Sequence, residues 1–327
     1  MHKTIHTLKS FGWRRIAFSL VVLAYLGFLG FINVLMFVPG NWLSPMGHFD
    51  FVSTGDTHNL IHELVFALIV GTAAVGLFSQ LWKPKENFEG QLVALIAWVA
   101  MIVIAAFTNN WVPQPLFLIF GGLTLIATIL HPAGLGLFNW IRTAKVNKIL
   151  LTLIAIAAVP LTAFAFTNIN LQIAGGGGTG FFHNPPAFHG GAVDRGSMNP
   201  VRDSEGSQRI ISNGVNDTSG MTVDDEATHD QEHVTVGHYR NMAVFSFIVI
   251  LVGLLASFRI RGWRLAAWVA GFLPILLGLA SVALPDAESS LGLVWGLATV
   301  IWGVAFITVA ELTRRNTYQE ITSNSQS

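Results

Sequence analysis

Long apolar stretches recur along the chain, separated by short polar breaks. They fall at Ile16–Val38, Leu60–Leu81, Leu92–Thr108, Leu116–Leu130, Ile149–Thr167, Met242–Phe258, Leu265–Leu284 and Leu291–Ala310. A helix crossing ~30 Å of hydrocarbon needs about 20 residues, with roughly 17 as the practical minimum. Most of the runs meet that length. Leu116–Leu130 is short and needs Pro115 or His131 near the interface to span. The runs are continuous rather than alternating, which argues against barrel strands. The pattern predicts an all-α, polytopic membrane helix bundle of about eight transmembrane helices.

The polar breaks set a topology. Cytoplasmic loops are enriched in Lys and Arg. With the N-terminus inside, the inner segments hold Lys3, Lys9, Arg14, Arg15, Lys83, Lys85, Arg142, Lys145, Lys148, Arg259, Arg261, Arg264, Arg314 and Arg315. The remaining four, Arg195, Arg202, Arg209 and Arg240, lie in or just after one long outer loop, and long loops are largely exempt from the rule. The short outer turns "NNWVPQ" and "PDAESS" carry no Lys or Arg. An even number of spans puts both termini in the cytoplasm of a multi-pass cell-membrane protein. Trp13, Trp82, Trp140 and Trp263 fall near inner boundaries, and Trp42 and Trp111 near outer ones, where an indole is half apolar and half wet. The first run follows a basic lead but is too long for a signal peptide, and "VPGNWLSP" after it has no small-x-small cleavage pattern, so it reads as a retained helix.

Composition agrees. Of 327 residues, 52% are hydrophobic and only 11% charged, against about a quarter charged in soluble domains; mean hydropathy is +0.58. The lipid bilayer is the expected partner. A formal net charge of zero gives no electrostatic case for nucleic acid. The absence of cysteine excludes disulfides, thiolate metal sites and cysteine nucleophiles.

Four segments follow: a first membrane half, 1–167, with about five spans; a Gly/Asp/His-rich extracytoplasmic loop, 168–240; three last spans, 241–313; and a polar cytoplasmic tail, 314–327. A second division is also compatible with the pattern. Each half has a helix running outward, an outer segment ending in histidines, a helix running inward, then a pair around a basic-free turn. That is the plan of a parallel 4+4 repeat.

Candidate chemistry rests on histidine. In "GDTHNLIHELVF", His58 and His62 are four apart, which puts both rings on one helix face. Two such imidazoles can share a Zn²⁺ or Cu²⁺ ion at ~2.0–2.1 Å. His229 and His233 repeat the spacing, and His238 opens the sixth span. If the second and sixth helices are neighbours, His58, His62, His233 and His238 meet at one depth, with Glu63 beside them. That set predicts an extracytoplasmic divalent metal site, of Zn or Cu, for binding, sensing or transport. The same residues also suit plain capping and headgroup contacts at helix ends. Two other readings stay open: a metal-dependent lipid hydrolase with Glu63 as base, and a b-type haem held by His62 and His238. No Gly-x-Ser-x-Gly pattern is present, and no catalytic residue is assigned. Asp, Glu, Lys and Arg are absent from the eight runs except near their ends, at Glu63 and just past Ala310 at Glu311, which disfavours proton-coupled transport by a mid-membrane carboxylate.

The stretches "HPAGLGLFNW", "VGHYRNMAVF" and "RGWRLAAWVAG" resemble elements of bacterial and archaeal polytopic membrane proteins of no assigned activity. The resemblance implies an eight-helix membrane protein and nothing about its chemistry.

Overall fold

A computed structural model describes residues 2–36, 60–82, 84, 87–111, 117–134, 144, 146–175, 200–202, 208–210, 234, 237–260, 262–287 and 289–324. Their helices are α1 (His2–Met36), α2 (Leu60–Phe78), α3 (Phe88–Thr108), α4 (Gly122–Leu130, entered through a π turn at Phe117–Gly121), α5 (Lys148–Ala174), α6 (His238–Ser257), α7 (Arg264–Ala283) and α8 (Gly292–Asn324). Two three-residue strands, β1 (Pro200–Arg202) and β2 (Gln208–Ile210), pair antiparallel between α5 and α6. The architecture is an all-α bundle, and among the described residues seven helices are long and apolar enough to cross a membrane. The eighth, Leu118–Leu130, falls short of that length; at ~1.5 Å per residue it covers only ~20 Å.

Side-chain contacts fix which helix ends lie together. At one end, the Asn147 backbone N–H donates to the Ser257 carbonyl (2.7 Å) and its side-chain amide to Thr313 Oγ1 (3.2 Å), which gathers the start of α5, the end of α6 and α8 near residue 313. Asn147 also caps α5, accepting from the N–H groups of Ile149 and Leu150. Arg259, Arg264 and Arg314 share this end, and Glu311 bridges α8 to Arg264 at 2.9 Å. At the other end lie the last residues of α3 and α5 and the first of α6. α6 is the central helix: 78% of its apolar window is buried, against 17% for α1 and 22% for α5 and α8. It packs on α5, α7, α3 and α2.

Glycines allow a close crossing of α7 and α8. A Cβ on Gly278 would lie 2.5 Å from the Gly296 carbonyl, and one on Gly271 would lie 2.9 Å from that of Gly303. The two pairs are seven residues apart on both α7 and α8, so the backbones touch along two turns. Without hydrophobic expulsion inside lipid, such close approach is what holds helices together.

Helix limits differ from the apolar runs where polar residues turn inward. α5 runs to Ala174 rather than 167, because Thr167 and Asn168 return hydrogen bonds to the Ala163 and Phe164 carbonyls and are no stop signal. α3 begins at Phe88 rather than Leu92, and α6 at His238 rather than Met242. α8 continues to Asn324, past the boundary placed at 313.

Candidate functional site

Two histidines meet at the end of the bundle opposite Asn147. His62, in the first turn of α2, is 2% exposed. His238, the first residue of α6, is half-buried. Their rings are stacked, with centroids 4.0 Å apart and planes 27° from parallel. His62 Nε2 is also 3.1 Å from Ser289 Oγ, in the turn between α7 and α8. Three separate segments therefore converge here. His58 and His233, the other two proposed ligands, lie outside the described residues. Glu63 is half-buried on the next position of α2.

The arrangement constrains its chemistry. Among the described residues, no group of three or more His, Asp or Glu comes together as a metal-holding set. Two imidazoles sharing one tetrahedral ion, with ~2.0–2.1 Å metal–nitrogen bonds, keep their ring centroids about 5 Å apart. The observed stack is tighter, so an ion requires the rings to swing apart by about 1 Å. A haem between His62 and His238 fits worse, since iron and porphyrin must stand between two rings that here touch directly. Ser246 Oγ donates back to the Met242 carbonyl at 3.1 Å on its own helix and partners no histidine.

A polar network fixes the α6 end of the site. Arg240, two residues after His238, is fully buried. Its Nη1 donates to the Asn110 carbonyl and to Asn110 Oδ1, both at 2.9 Å; Nη2 and Nε donate to Asn241 Oδ1 at 2.8 and 3.2 Å. Asn110 and Gln172 side-chain amides each donate to the Val234 carbonyl at 2.7 Å, and the Arg240 backbone N–H donates to Gln172 Oε1 at 3.1 Å. The ends of α3 and α5 are thus tied to the start of α6. Gly237 is required at the entry: its φ is +79°, and a Cβ there would lie 2.8 Å from Arg240 Cζ.

The sequence pattern places Arg240 in the long loop rather than in a helix. Its only local signal is its position between Tyr239 and Asn241 at the head of an apolar run. Ser289 and Gln172 carry no signal that separates them from ordinary turn and helix-end residues. Near the opposite end, Glu89 is equally silent in the sequence. It lies in the first turn of α3, fully buried, and neither carboxyl oxygen has a hydrogen-bond partner among the described residues. Close by, His131 is buried against Phe18 and held in one tautomer. The Ala133 N–H donates to Nδ1 (3.1 Å), so Nε2 carries the proton toward Gln80 Oε1 (3.2 Å).

No protein-family model, curated protein or solved structure matches this chain.

Proposed function

We propose that this integral membrane protein binds a divalent metal ion, Zn²⁺ or Cu²⁺, at the bundle end that carries His62 and His238. One observation carries the reading: residues far apart in sequence place two imidazoles in contact at one depth. Neutral imidazole is the preferred nitrogen ligand for these ions. On binding, the rings part, and His62 Nε2 exchanges its Ser289 hydrogen bond for the metal. Ser289 then serves as an outer partner that orients the ligand. His58, four residues before His62 in the sequence, and His233 are the further ligands of this proposal, with Glu63 as a neighbouring acid.

The gathering of Arg259, Arg264 and Arg314 at the opposite end supports an orientation with both termini in the cytoplasm and the histidines on the extracytoplasmic side of the cell membrane. Metal analysis of purified protein after Zn²⁺ loading tests the binding proposal. One equivalent in wild type, lost in a His62→Ala/His238→Ala double variant, supports it. Equal, near-zero metal in both ends it.

A further inference from the structure

A cavity lies on the side of the bundle formed by α5, α6, α7 and α8. It measures about 190 Å³. Pro160 of α5 and Pro274 of α7 both line it. Proline in a helix interior removes a backbone hydrogen bond and disturbs regular packing, and both of these prolines face the same gap. Pro160 is 12 residues from Lys148 and 14 from Ala174, so at ~1.5 Å per residue it lies ~18–21 Å from either end of α5. Pro274 is likewise central in α7. The cavity is therefore at hydrocarbon depth.

Its chemistry is that of a hydrocarbon chain. The two hydroxyls in the wall donate elsewhere, Ser246 to the Met242 carbonyl and Thr299 to the Gly296 carbonyl at 2.8 Å. The rest of the wall is apolar, and Trp302 turns its indole N–H away to the Leu153 carbonyl at 3.1 Å. A dry apolar cavity of about 150 Å³ takes up benzene, so this one has room for several methylenes. Its mouth faces lipid. Ile156 and Trp295, on the two helices flanking the opening, are 63% and 44% exposed, yet both also line the cavity. α5 and α8 touch only lightly beside it.

We propose that this cleft is a binding site for one acyl chain of a bilayer phospholipid, entering sideways between α5 and α8. It is independent of the metal proposal. The chain fills a void that water would find inhospitable, and holds α8 against α5 where protein contact is sparse.

The test uses full-length protein in phosphatidylcholine vesicles containing a phospholipid with a diazirine in mid-chain. After illumination, labelled peptides are mapped by mass spectrometry. The expected result is labelling of Phe164, Phe245 and Trp295 at least fivefold above Leu20 and Leu23, which are exposed apolar residues on α1. Ala298→Trp, at the mouth, is expected to lower cavity labelling fivefold and leave α1 labelling unchanged. If that variant fails to give a monodisperse protein, Ala157→Leu in the cavity wall serves instead. Equal labelling of cavity and α1, or cavity labelling unmoved by a well-folded blocking variant, would overturn the proposal and leave only ordinary lipid contact.

Discussion

Arg240 grips Asn110 twice, through its carbonyl and its side-chain oxygen, both at 2.9 Å. One guanidinium on α6 thereby ends α3, whose backbone turns left-handed at Asn109 (φ +50°). Removing one member of a buried polar network leaves the others unsatisfied, a loss of about 1–3 kcal/mol and more where the stranded group is charged. Arg240→Leu and Asn110→Ala are both expected to lower the unfolding midpoint strongly in detergent. Arg240→Lys is expected to rescue little, because an ammonium cannot donate in a fork to Asn110 and Asn241 together. The check is thermal unfolding followed by loss of monodisperse protein; an unchanged midpoint in Asn110→Ala would mean the network is idle.

The glycine contacts between α7 and α8 lead to a second expectation. Gly271→Leu and Gly278→Leu should separate the helices, with destabilisation of about 1–3 kcal/mol or more from overpacking. A Cβ added at Gly27 on α1 would meet nothing within 4 Å, so Gly27→Ala should be neutral or slightly stabilising. Unfolding midpoints of the three variants, side by side, measure the contrast.

His131 is expected to make the fold sensitive to acid. Burial lowers its pKa to about 4, against a partly opposing hydrogen bond with the Pro84 backbone. An unfolded chain protonates this residue near pH 6.5. Between those values the unfolded state binds the extra proton, so stability falls as pH drops from about 6.5 to 4. The loss reaches about 3 kcal/mol for a shift of this size. His131→Gln, which keeps a donor toward Gln80, is expected to flatten the pH dependence of the unfolding midpoint across that window. A variant profile as steep as wild type would assign the acid sensitivity elsewhere.

Glu89 offers a further contrast. A buried carboxyl without hydrogen bonds is unfavourable when charged. Glu89→Gln is accordingly expected to hold or raise the unfolding midpoint at pH ~8. A clear drop would show that the carboxylate has a partner that neutral amide cannot replace.

The membrane fold was legible because lipid imposes a simple rule. Every backbone polar group must be satisfied within the segment, so spans read as long apolar runs with charges at their ends. The signs of those charges also showed which ends belong together, and Asn147, Ser257 and Thr313 meet as one end of the bundle. Helix limits were less legible, because Asn168 and Gln172 look like loop residues until their partners are seen. The site was half legible. The spacing of His58 and His62 drew notice to α2, but nothing local said that His238 would lie on His62. Arg240 was hidden for the same reason: its partner Asn110 comes from the end of α3, 130 residues earlier, and its burial depends on such contacts.

The convergence of α2 and α6 is the foundation of the proposed site, and the cysteine-free chain makes it directly measurable. A His62→Cys/His238→Cys variant, with a protease site inserted within residues 211–233, is oxidised in membranes, cleaved and run without reductant. The expected result is that both fragments migrate together and separate on reduction, whereas His62→Cys/Leu312→Cys fragments separate in either condition. Fragments of the His62→Cys/His238→Cys protein that part without reductant would contradict the paired-histidine site.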